Sequence, residues 1–546
     1  MSHRRNWFVA VFAAGTLLVG GQITAAAGST TSSPAAAVSS GAATSATSNR
    51  GIDCSSNRFL CTEVANSDEV FGHYVGHDEP SLLFNSKVAG SGNQMRYSGV
   101  LPSEPAPTNV PGKRSYDFQL YAAFWFGMAM CDTQSYPNTV STCRPDSDRN
   151  ITAAGDPNHP GTAFMELQFY PPGYVQQFDG FSCSGTQWCV ALTIDSLSQN
   201  PVTGQNLNPA CASRVGLEYV NFAYLTKSGV PQGAPNPVNF DPVAGGKPDP
   251  RKVAFLNPGD HYTVTLHDTE HGLQTIVHDT TTGTVGKMTA SAANGFGQVK
   301  FAPTGSSCTN LPYDFHPEYS TSGTNTTVPW AAATYNVAID TEIGHFDYCS
   351  AVDPATASCT GLEGIGSNQG PADGDDVGCF PGSASTLIKI GGCLGTNIGY
   401  DGASYQRIWP NGSRSRPSPT IFTSPKTGPN YSIQYAQAAF NTDLPAIEQS
   451  TVPTCNGDTG ANCTHIPPTD QGVPANFYPY YSSGHALGGC AWTVGQDVPG
   501  FTTNDYGKVN QYGPLLKVTY PDLGGTTSSS FNDFQNVLPN NPCPAP

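Results

Sequence analysis

The feature that most constrains the fold is the near absence of helical periodicity from a chain of 546 residues. Apolar residues instead alternate with polar ones over short stretches, which Gly- or Pro-containing turns separate. The stretches that show this pattern are 120–130, 163–170, 188–195, 217–225, 261–267, 273–279, 335–346 and 514–520. Alternation of this kind is typical of strands that turn one face to a core. The sequence therefore predicts an all-β fold, a large β-sandwich or jelly roll with long loops.

The clearest hairpin of the chain lies within 261–279. Tyr262, Val264 and Leu266 form one apolar face of its first strand, and a polar turn follows. A second strand, 273–279, then leads into a Gly-containing turn. We expect these two strands to pair.

Four histidines belong to this hairpin, and two of them lie close to its turn. His267 and His271 are four residues apart in HDTEH, so they could converge on a metal ion with Asp268 or Glu270. The alternative is that these residues form a polar outer face and a turn.

Composition changes along the chain. Residues 1–27 have the basic start, the short apolar stretch and the small residues of a signal peptide. Residues 28–50 are rich in Ser, Thr and Ala, which predicts a disordered linker. We expect the β-sandwich over 51–350 and a Cys-, Gly- and Pro-rich β and loop region over 351–546, either separate or part of the same body. No later stretch has the apolar length of a membrane span, so we expect a secreted, extracellular protein.

Cysteine usage agrees with export. The chain has 16 cysteines, an even number that predicts disulfide bonds in an oxidising compartment. Short loops are the easiest to close, which favours pairs of sequence neighbours. The predicted bridges are Cys54–Cys61, Cys131–Cys143, Cys183–Cys189, Cys349–Cys359, Cys379–Cys393 and Cys455–Cys463, with the longer Cys211–Cys308 and Cys490–Cys543.

Charge and missing motifs narrow the functional classes. The net charge is −17, although only 12% of the residues are charged. Nucleic acid is not an expected partner, because phosphates require clustered Lys and Arg. The sequence also lacks G-x-S-x-G, H-E-x-x-H, a P-loop and G-x-G-x-x-G. These absences argue against serine esterases, zincins, nucleotide enzymes and Rossmann oxidoreductases.

Several long stretches carry a resemblance to a known group of proteins. They include GHYVGHDEPSLLF, AAFWFGMAMCDTQSYP, PGTAFMELQFYPPGY, LEYVNFAYL and EIGHFDYC. Together they resemble a group of large secreted bacterial proteins that carries no established activity. The resemblance covers nearly all of the predicted mature chain and implies secretion and a β-rich body.

One strand places a carboxylate, an amide and an aromatic ring on one face. In TAFMELQFYPPG, Glu166, Gln168 and Tyr170 point away from the apolar residues between them. Polar groups bind sugar hydroxyls and aromatic rings stack on sugar rings, so this face could line a glycan groove. Glu218 is set similarly in LEYVNFAYL, and Trp125 offers another stacking surface. The alternative for each glutamate is an ordinary exposed position on a strand.

A second group of acidic residues lies in YNVAIDTEIGHFDYC. Asp340 and Glu342 are two apart on a predicted strand, so their Cα atoms share a face at roughly 6.5–7 Å. Side-chain rotamers can bring such carboxyl groups to the spacing of retaining glycosidases, about 5–5.5 Å. A bulge at Gly344 would add His345 to the same face. The stretch therefore predicts a catalytic carboxylate.

This motif and the strand pattern resemble the concanavalin-like jelly rolls, which include legume-type lectins and laminarinase-type glucanases. Those glucanases carry E-x-D-x-x-E, whereas this chain reads D-x-E-x-x-H, with His345 in place of the last glutamate. The resemblance implies a jelly roll and a carbohydrate ligand. Glu166 or Glu218 would then supply the second carboxylate from a neighbouring strand.

An acidic loop, DGDDVGC, offers hard oxygen ligands. Asp373, Asp375 and Asp376 surround Gly374, which permits a sharp backbone turn. Calcium binds oxygen ligands of this type. The loop predicts a structural Ca²⁺ site, with a solvated acidic loop as the alternative.

Taken together, these features favour a secreted, monomeric glycoside hydrolase that acts on a polysaccharide or another glycan. Glu342 and Glu166 would form the carboxylate pair, and Asp340 would orient Glu342 and shift its pKa through like-charge proximity. The first alternative is a non-catalytic carbohydrate-binding or cell-surface protein of the same fold. The third hypothesis is an acid peptidase that uses a Glu/Gln pair such as Glu166 and Gln168.

Overall fold

The fold is taken from a computed structural model of the protein. The residues it describes are 51–53, 81–86, 94–101, 124–134, 161–170, 184, 186–197, 206–216, 218–241, 244–317, 320–321, 326–332, 352–353, 358–359, 420–424, 426–427, 433–435, 437–441, 447–448, 464–465, 469–470, 473–474, 481–487, 489–494, 502–506, 515–521 and 528–538. The predicted signal peptide and linker lie outside these ranges.

The described residues are mainly β-strands. The first strands along the chain are β1 (Gly51–Asp53), β2 (Ser81–Ser86), β3 (Gln94–Val100), β4 (Phe124–Asp132), β5 (Gly161–Tyr170), β6 (Trp188–Leu197), β7 (Glu218–Tyr224), β8 (Phe255–Leu256), β9 (His261–Thr269), β10 (Gly272–Asp279), β11 (Val285–Thr289), β12 (Gly297–Val299), β13 (Asn310–Pro312), β14 (Ser320–Thr321) and β15 (Thr326–Ala332).

The later strands are shorter on average. They are β16 (Val352–Asp353), β17 (Ser358–Cys359), β18 (Thr420–Thr423), β19 (Lys426–Thr427), β20 (Ile433–Gln434), β21 (Gln437–Asn441), β22 (Ile447–Glu448), β23 (Thr464–His465), β24 (Thr469–Asp470), β25 (Val473–Pro474), β26 (Tyr481–Ala486), β27 (Gly489–Val494), β28 (Thr502–Tyr506), β29 (Leu515–Pro521) and β30 (Ser528–Leu538).

The longer strands assemble into two sheets. The large sheet is 12-stranded, in the order β1-β29-β30-β21-β2-β15-β4-β5-β6-β7, with β14 against β15 and β8 against β6. The small sheet is 8-stranded, in the order β11-β10-β9-β3-β18-β27-β26-β28. Strands from both halves of the chain share each sheet. Among the described strand pairs, β1 with β29 is parallel and the others are antiparallel. The all-β prediction is confirmed.

The predicted strands agree with the observed ones where the two can be compared. The segments 163–170, 188–195 and 217–225 correspond to β5, β6 and β7, with ends that differ by at most two residues. The predicted hairpin is β9 and β10, which pair from Tyr262 opposite Asp279 to Thr269 opposite Gly272. The predicted strand 335–346 lies outside the described residues.

A short helix, α1 (Pro209–Val215), was not predicted. Asn208 caps it by accepting a hydrogen bond from the Cys211 amide at 3.0 Å, and Pro209 is the first residue of the helix. Seven residues are too few to show a helical period, so only the cap identifies this helix from sequence. Ala292–Asn294 forms a 3-10 turn. No helix in the described part of the chain is long and apolar enough to cross a membrane.

A disulfide joins α1 to the segment that follows β12. Cys211 is bonded to Cys308 across a sequence separation of 97 residues, which confirms that predicted bridge. Cys131, Cys189 and Cys490 are also disulfide-bonded. Their predicted partners, at 143, 183 and 543, lie outside the described residues, so those pairs stay predictions.

Buried aromatic rings connect the two sheets. Tyr97 of β3 stacks on Phe126 of β4, with ring centroids 4.5 Å apart. Phe169 of β5 contacts Tyr262 of β9 with centroids 5.1 Å apart. One face of β5 therefore points toward the small sheet. Because side chains alternate along a strand, Glu166 lies on the opposite face, which we call the outer face of the large sheet.

Candidate functional site

The candidate site lies on the outer face of the large sheet, where β5, β6 and β7 run side by side. Glu166 of β5 lies opposite Thr193 of β6, and Thr193 lies opposite Phe222 of β7. Alternation places Gln168 and Tyr170 on the face of Glu166. The strand register thus gathers side chains that are distant in the sequence.

Glu166, Gln168 and Tyr170 form a chain of hydrogen bonds along β5. The side-chain amide of Gln168 donates from Nε2 to Oε2 of Glu166 at 2.5 Å. The hydroxyl of Tyr170 donates to Oε1 of Gln168 at 2.5 Å. Because both ends of the amide are bonded, its N–H group is fixed toward the carboxyl of Glu166. The three residues that alternation grouped in the sequence are in direct contact.

The carboxyl of Glu166 is held in an unusual environment. Only 7% of the residue is exposed, so it is not an ordinary solvated strand glutamate. Loss of hydration raises the pKa of its carboxyl from 4.5 to about 7, against the opposing effect of the Gln168 hydrogen bond. Such a group keeps its proton in mildly acidic solution and exchanges it close to neutrality. Strongly shifted pKa values of this kind are concentrated at functional sites.

Buried aromatic rings border the site on its β7 side. Tyr170 approaches Tyr224 edge-on, with centroids 6.4 Å apart. Phe222 contacts Tyr224 at 4.9 Å and Phe240 at 5.7 Å. Phe240 belongs to the segment after β7, which also accepts a hydrogen bond from the Tyr224 hydroxyl at the carbonyl of Gly246. This segment covers part of the outer face and explains why polar residues of the strands are buried there.

A second carboxylate lies on the same face. Asp195 lies opposite Phe164 in the register of β6 with β5, which makes it a diagonal neighbour of Glu166. Diagonal neighbours of antiparallel strands have Cα atoms about 7–8 Å apart. Asp195 is also buried, with 8% exposed. Sequence reasoning missed Asp195, because alternation in WCVALTID gives its face but cannot give its neighbour on the next strand.

Two further predicted site residues belong to β4 and β7. Trp125 lies opposite Gln168 in the register of β4 with β5. Glu218 is the first residue of β7 and lies opposite Leu197. The side chains of Trp125 and Glu218 are outside the described part of the structure. So are the remaining predicted residues, whose roles stay predictions: Asp340, Glu342, His345, Asp373, Asp375 and Asp376.

The histidines of the hairpin do not converge on a metal site. Asp268 faces the core, where its Oδ1 lies 2.8 Å from Nδ1 of His316, whereas His267 lies on the other face of β9. His271 and Glu270 are exposed in the turn. In the described ranges, no group of three or more His, Cys, Asp or Glu side chains could hold a metal ion. The metal hypothesis for HDTEH is wrong, because neighbouring residues on a strand point to opposite faces.

Comparison with models of known protein families, with curated proteins and with solved structures finds no match for this chain. Function has to be inferred from the chemistry of its own side chains. On the outer face of the large sheet that chemistry consists of a carboxyl that titrates near pH 7, an oriented amide and a neighbouring carboxylate.

Proposed function

We propose that the protein is a secreted glycoside hydrolase, built as a jelly-roll sandwich from the two sheets, with Glu166 as its general acid. The observation that supports this most is the pKa of about 7 of the Glu166 carboxyl. A glycosidase acid must hold its proton at the working pH and give it to the leaving-group oxygen in the transition state. A solvated glutamate, with a pKa of about 4.3, has already lost that proton.

Gln168 and Tyr170 act in this proposal as positioning residues. Tyr170 is only 6% exposed, which favours holding Gln168 over stacking on a sugar ring. The fixed Gln168 amide stabilises the carboxylate that remains on Glu166 after proton transfer. Trp125, opposite Gln168 in register, remains our proposed stacking surface.

The second carboxylate of the mechanism is either Glu342, with Asp340 orienting it, or Asp195. Glu342 is the residue that the sequence motif predicts. Asp195 is supported by its position diagonal to Glu166 on the adjacent strand. Retaining enzymes place the two carboxyl groups about 5–5.5 Å apart and inverting enzymes about 6.5–9.5 Å apart. Side chains on diagonal positions can reach either spacing.

The test is a screen of the purified mature protein against β-glucans, arabinans, galactans and chitin at mildly acidic pH, read as release of reducing ends. Glu166→Gln is expected to keep the fold and glycan binding but to lose turnover by roughly 10²–10⁴-fold, the usual contribution of general acid catalysis. Glu270→Gln is the matched control, because Glu270 is exposed in a hairpin turn of the other sheet. Equal turnover by Glu166→Gln and wild type would remove Glu166 from the mechanism.

Separate substitutions identify the partner of Glu166. Asp195→Asn and Glu342→Gln each remove one charge and preserve shape, so only the true partner abolishes turnover. Glycan binding without release of reducing ends by wild type would instead favour the non-catalytic carbohydrate-binding protein.

One observation favours a second function, that of an acid peptidase. The 2.5 Å contact between the Gln168 amide and the Glu166 carboxyl provides a proton-exchanging group beside a hydrogen-bond donor for an oxyanion. Denatured casein across pH 3–7 is the substrate for this test, because the Glu166 carboxyl exchanges its proton near the upper end of that range. A peptidase of this type loses activity in both Gln168→Ala and Glu166→Gln, and a wild-type protein that leaves casein intact is not such an enzyme.

A further inference from the structure

The outer face of the small sheet has a charge pattern of its own. Strands β3, β9, β10 and β11 lie side by side there, and in each strand the more exposed residues alternate with the buried ones. The more exposed positions of these four strands contain cations, histidines and Thr, Ser, Gln, Val and Ile, but no Asp or Glu. We call this surface the basic face and define it by Arg96, His261, His267, His278 and Lys287.

The composition of the chain predicts the opposite pattern. With 41 acidic and 24 basic residues, most surfaces of this protein should carry more carboxylates than cations. The acidic residues on the two strands of the hairpin point inward instead, and Glu270 is exposed in the turn between them. Asp268 is bonded to His316, and Asp279 accepts hydrogen bonds from the amides of Thr281 and Thr282. The fold therefore separates the charges of these two strands, with the carboxyls of Asp268 and Asp279 on the core side and the histidines on the outer side.

The two permanent cations lie at the two sides of the basic face. Arg96 is opposite Thr265, Thr265 is opposite Ile276, and Ile276 is opposite Lys287. Four strands spaced by about 4.8 Å put the Cα atoms of Arg96 and Lys287 roughly 14 Å apart. The surface between them is a flat row of short polar and β-branched side chains.

Histidines and amides fill the rows on either side of this one. In one neighbouring row His267 lies between Gln94 and Gln274, and in the other His278 lies opposite Thr263. Imidazole, amide and hydroxyl groups donate hydrogen bonds to both carboxylate and sugar hydroxyl oxygens. The basic face thus combines spaced positive charge with many hydrogen-bond donors.

We propose that the basic face binds an anionic polysaccharide, a polymer that carries carboxylates spaced along an extended chain. Two spaced cations do not provide the dense phosphate neutralisation that nucleic acid binding requires. The face also lacks the Trp, Tyr and Phe anchors of protein interfaces and the apolar stripe of a membrane-bound helix. The inference rests on the proposed function for its glycan ligand and names the class of glycan, but it uses a different sheet from Glu166.

The experiment compares binding of the full mature protein to polygalacturonate and to its fully methyl-esterified form, by affinity electrophoresis and titration calorimetry. Both polymers share a backbone, and only the first is charged. We expect binding to polygalacturonate that weakens as salt is added, because exposed charges are screened, and at least about tenfold weaker binding to the ester. Failure to bind polygalacturonate, or equal affinity for both polymers, would overturn the proposal.

Substitutions locate the surface. The double variant Arg96→Glu, Lys287→Glu is expected to bind polygalacturonate about tenfold more weakly than wild type, since like charges then face the polymer. Lys247→Glu makes the same kind of charge change at an exposed lysine in the segment that covers β7, and it should bind as wild type does. Melting temperatures show whether each variant is folded. An unchanged affinity of the folded double variant, or an equal loss in Lys247→Glu, contradicts the assignment.

This test is independent of turnover. A protein that binds the polymer through the basic face but hydrolyses no glycan would refute the proposed function and leave this inference standing. A hydrolase with no preference for charged glycans would support the proposed function and refute this inference.

Discussion

Asp132 of β4 and Glu166 of β5 are both buried carboxyls on neighbouring strands, but they accept different sets of hydrogen bonds. Asp132 is 2% exposed and accepts several hydrogen bonds, from the Ser196 hydroxyl at 2.8 Å, the Gln134 amide at 2.7 Å and the Gln298 side chain. Glu166 receives a side-chain hydrogen bond from Gln168. A buried carboxylate is tolerated when donors replace its lost water, and otherwise it takes up a proton.

The two carboxyls therefore have different consequences. The Asp132 network joins β4 to Ser196 of β6 and Gln298 of β12, and the Gln134 side chain extends it to the amide of Phe301 at 2.9 Å. It holds the segment after β12 against the large sheet. Among the described residues, the carboxyl of Glu166 is hydrogen-bonded to Gln168 of its own strand, and its proton is exchangeable near neutral pH. One carboxyl stabilises the fold through its hydrogen bonds, and the other has a pKa raised toward neutrality.

The largest effect expected from this comparison is on Asp132. Asp132→Ala leaves its buried donors without an acceptor, and each buried donor left unpaired typically costs about 1–3 kcal/mol of unfolding free energy. Chemical denaturation of the variant measures this, with Glu270→Ala as a control at an exposed position. A loss of unfolding free energy below about 1 kcal/mol would show that these hydrogen bonds do not stabilise the fold, and the contrast between Asp132 and Glu166 would not hold.

The next effect concerns Glu166, where we expect the substitution to raise the free energy of unfolding instead of lowering it. The unfolded chain loses the proton of this residue near pH 4.5 and the folded protein near pH 7, so stability falls as the pH rises through that interval. Glu166→Gln removes this dependence. We expect equal stabilities at pH 4 and an advantage for the variant at pH 8 on the order of 3 kcal/mol. Denaturation curves at pH 4, 6 and 8 test it, and identical curves at pH 8 would show that the pKa is not raised.

A pair of neighbouring carboxyls, Asp260 and Asp279, should have a smaller effect on the stability of the fold. Burial and the neighbouring Asp279 carboxyl raise the pKa of Asp260. Burial acts to raise the pKa of Asp279, but hydrogen bonds from Thr282, Asp260 and Thr281 together outweigh it, so the pKa is lowered. Stability from Asp260 is lost as the pH rises through its raised pKa, and stability from Asp279 is lost as the pH falls through its lowered one.

Asp260→Asn should therefore flatten the decline of stability on the alkaline side and leave the acid side unchanged. Asp279→Asn should flatten the acid side and lower the maximum. Melting temperatures across pH 3–8 distinguish the two variants. The same profile in both variants would mean that the pKa values of the two carboxyls are not shifted in opposite directions.

The smallest expected effect is that of Gln168 on its neighbour. The Gln168 hydrogen bond lowers the pKa of Glu166, so Gln168→Leu should raise that pKa further. Carbon-detected NMR titration of the Glu166 carboxyl in wild type and variant measures the direction. A lower pKa in the variant would contradict the assigned donor role of the amide.

Local features of the fold were predictable from sequence. The faces of β5 and β9 follow from strict alternation, as in Glu166, Gln168 and Tyr170 against the apolar residues between them. Helix α1 was missed because it is shorter than the window in which a helical period can be seen.

The part of the site that was not predicted from the sequence depends on contacts between residues that are distant along the chain. Alternation marks Asp195 as polar-facing, but its position beside Glu166 depends on the register of two strands. The burial of Glu166 was also not predicted from the sequence. A polar face of a strand predicts solvent, whereas the segment that contains Phe240 covers part of this one.

The order of the strands has a consequence for how the chain folds. Strand β2 lies between β15 and β21, and β3 lies between β9 and β18, so inner strands from the start of the chain pair with segments beyond residue 419. Pairing across such sequence separations is slow, and both sheets keep unpaired inner edges until the last third of the chain has been made. The topology therefore postpones closure of both sheets until strands from the last third of the chain are available to pair.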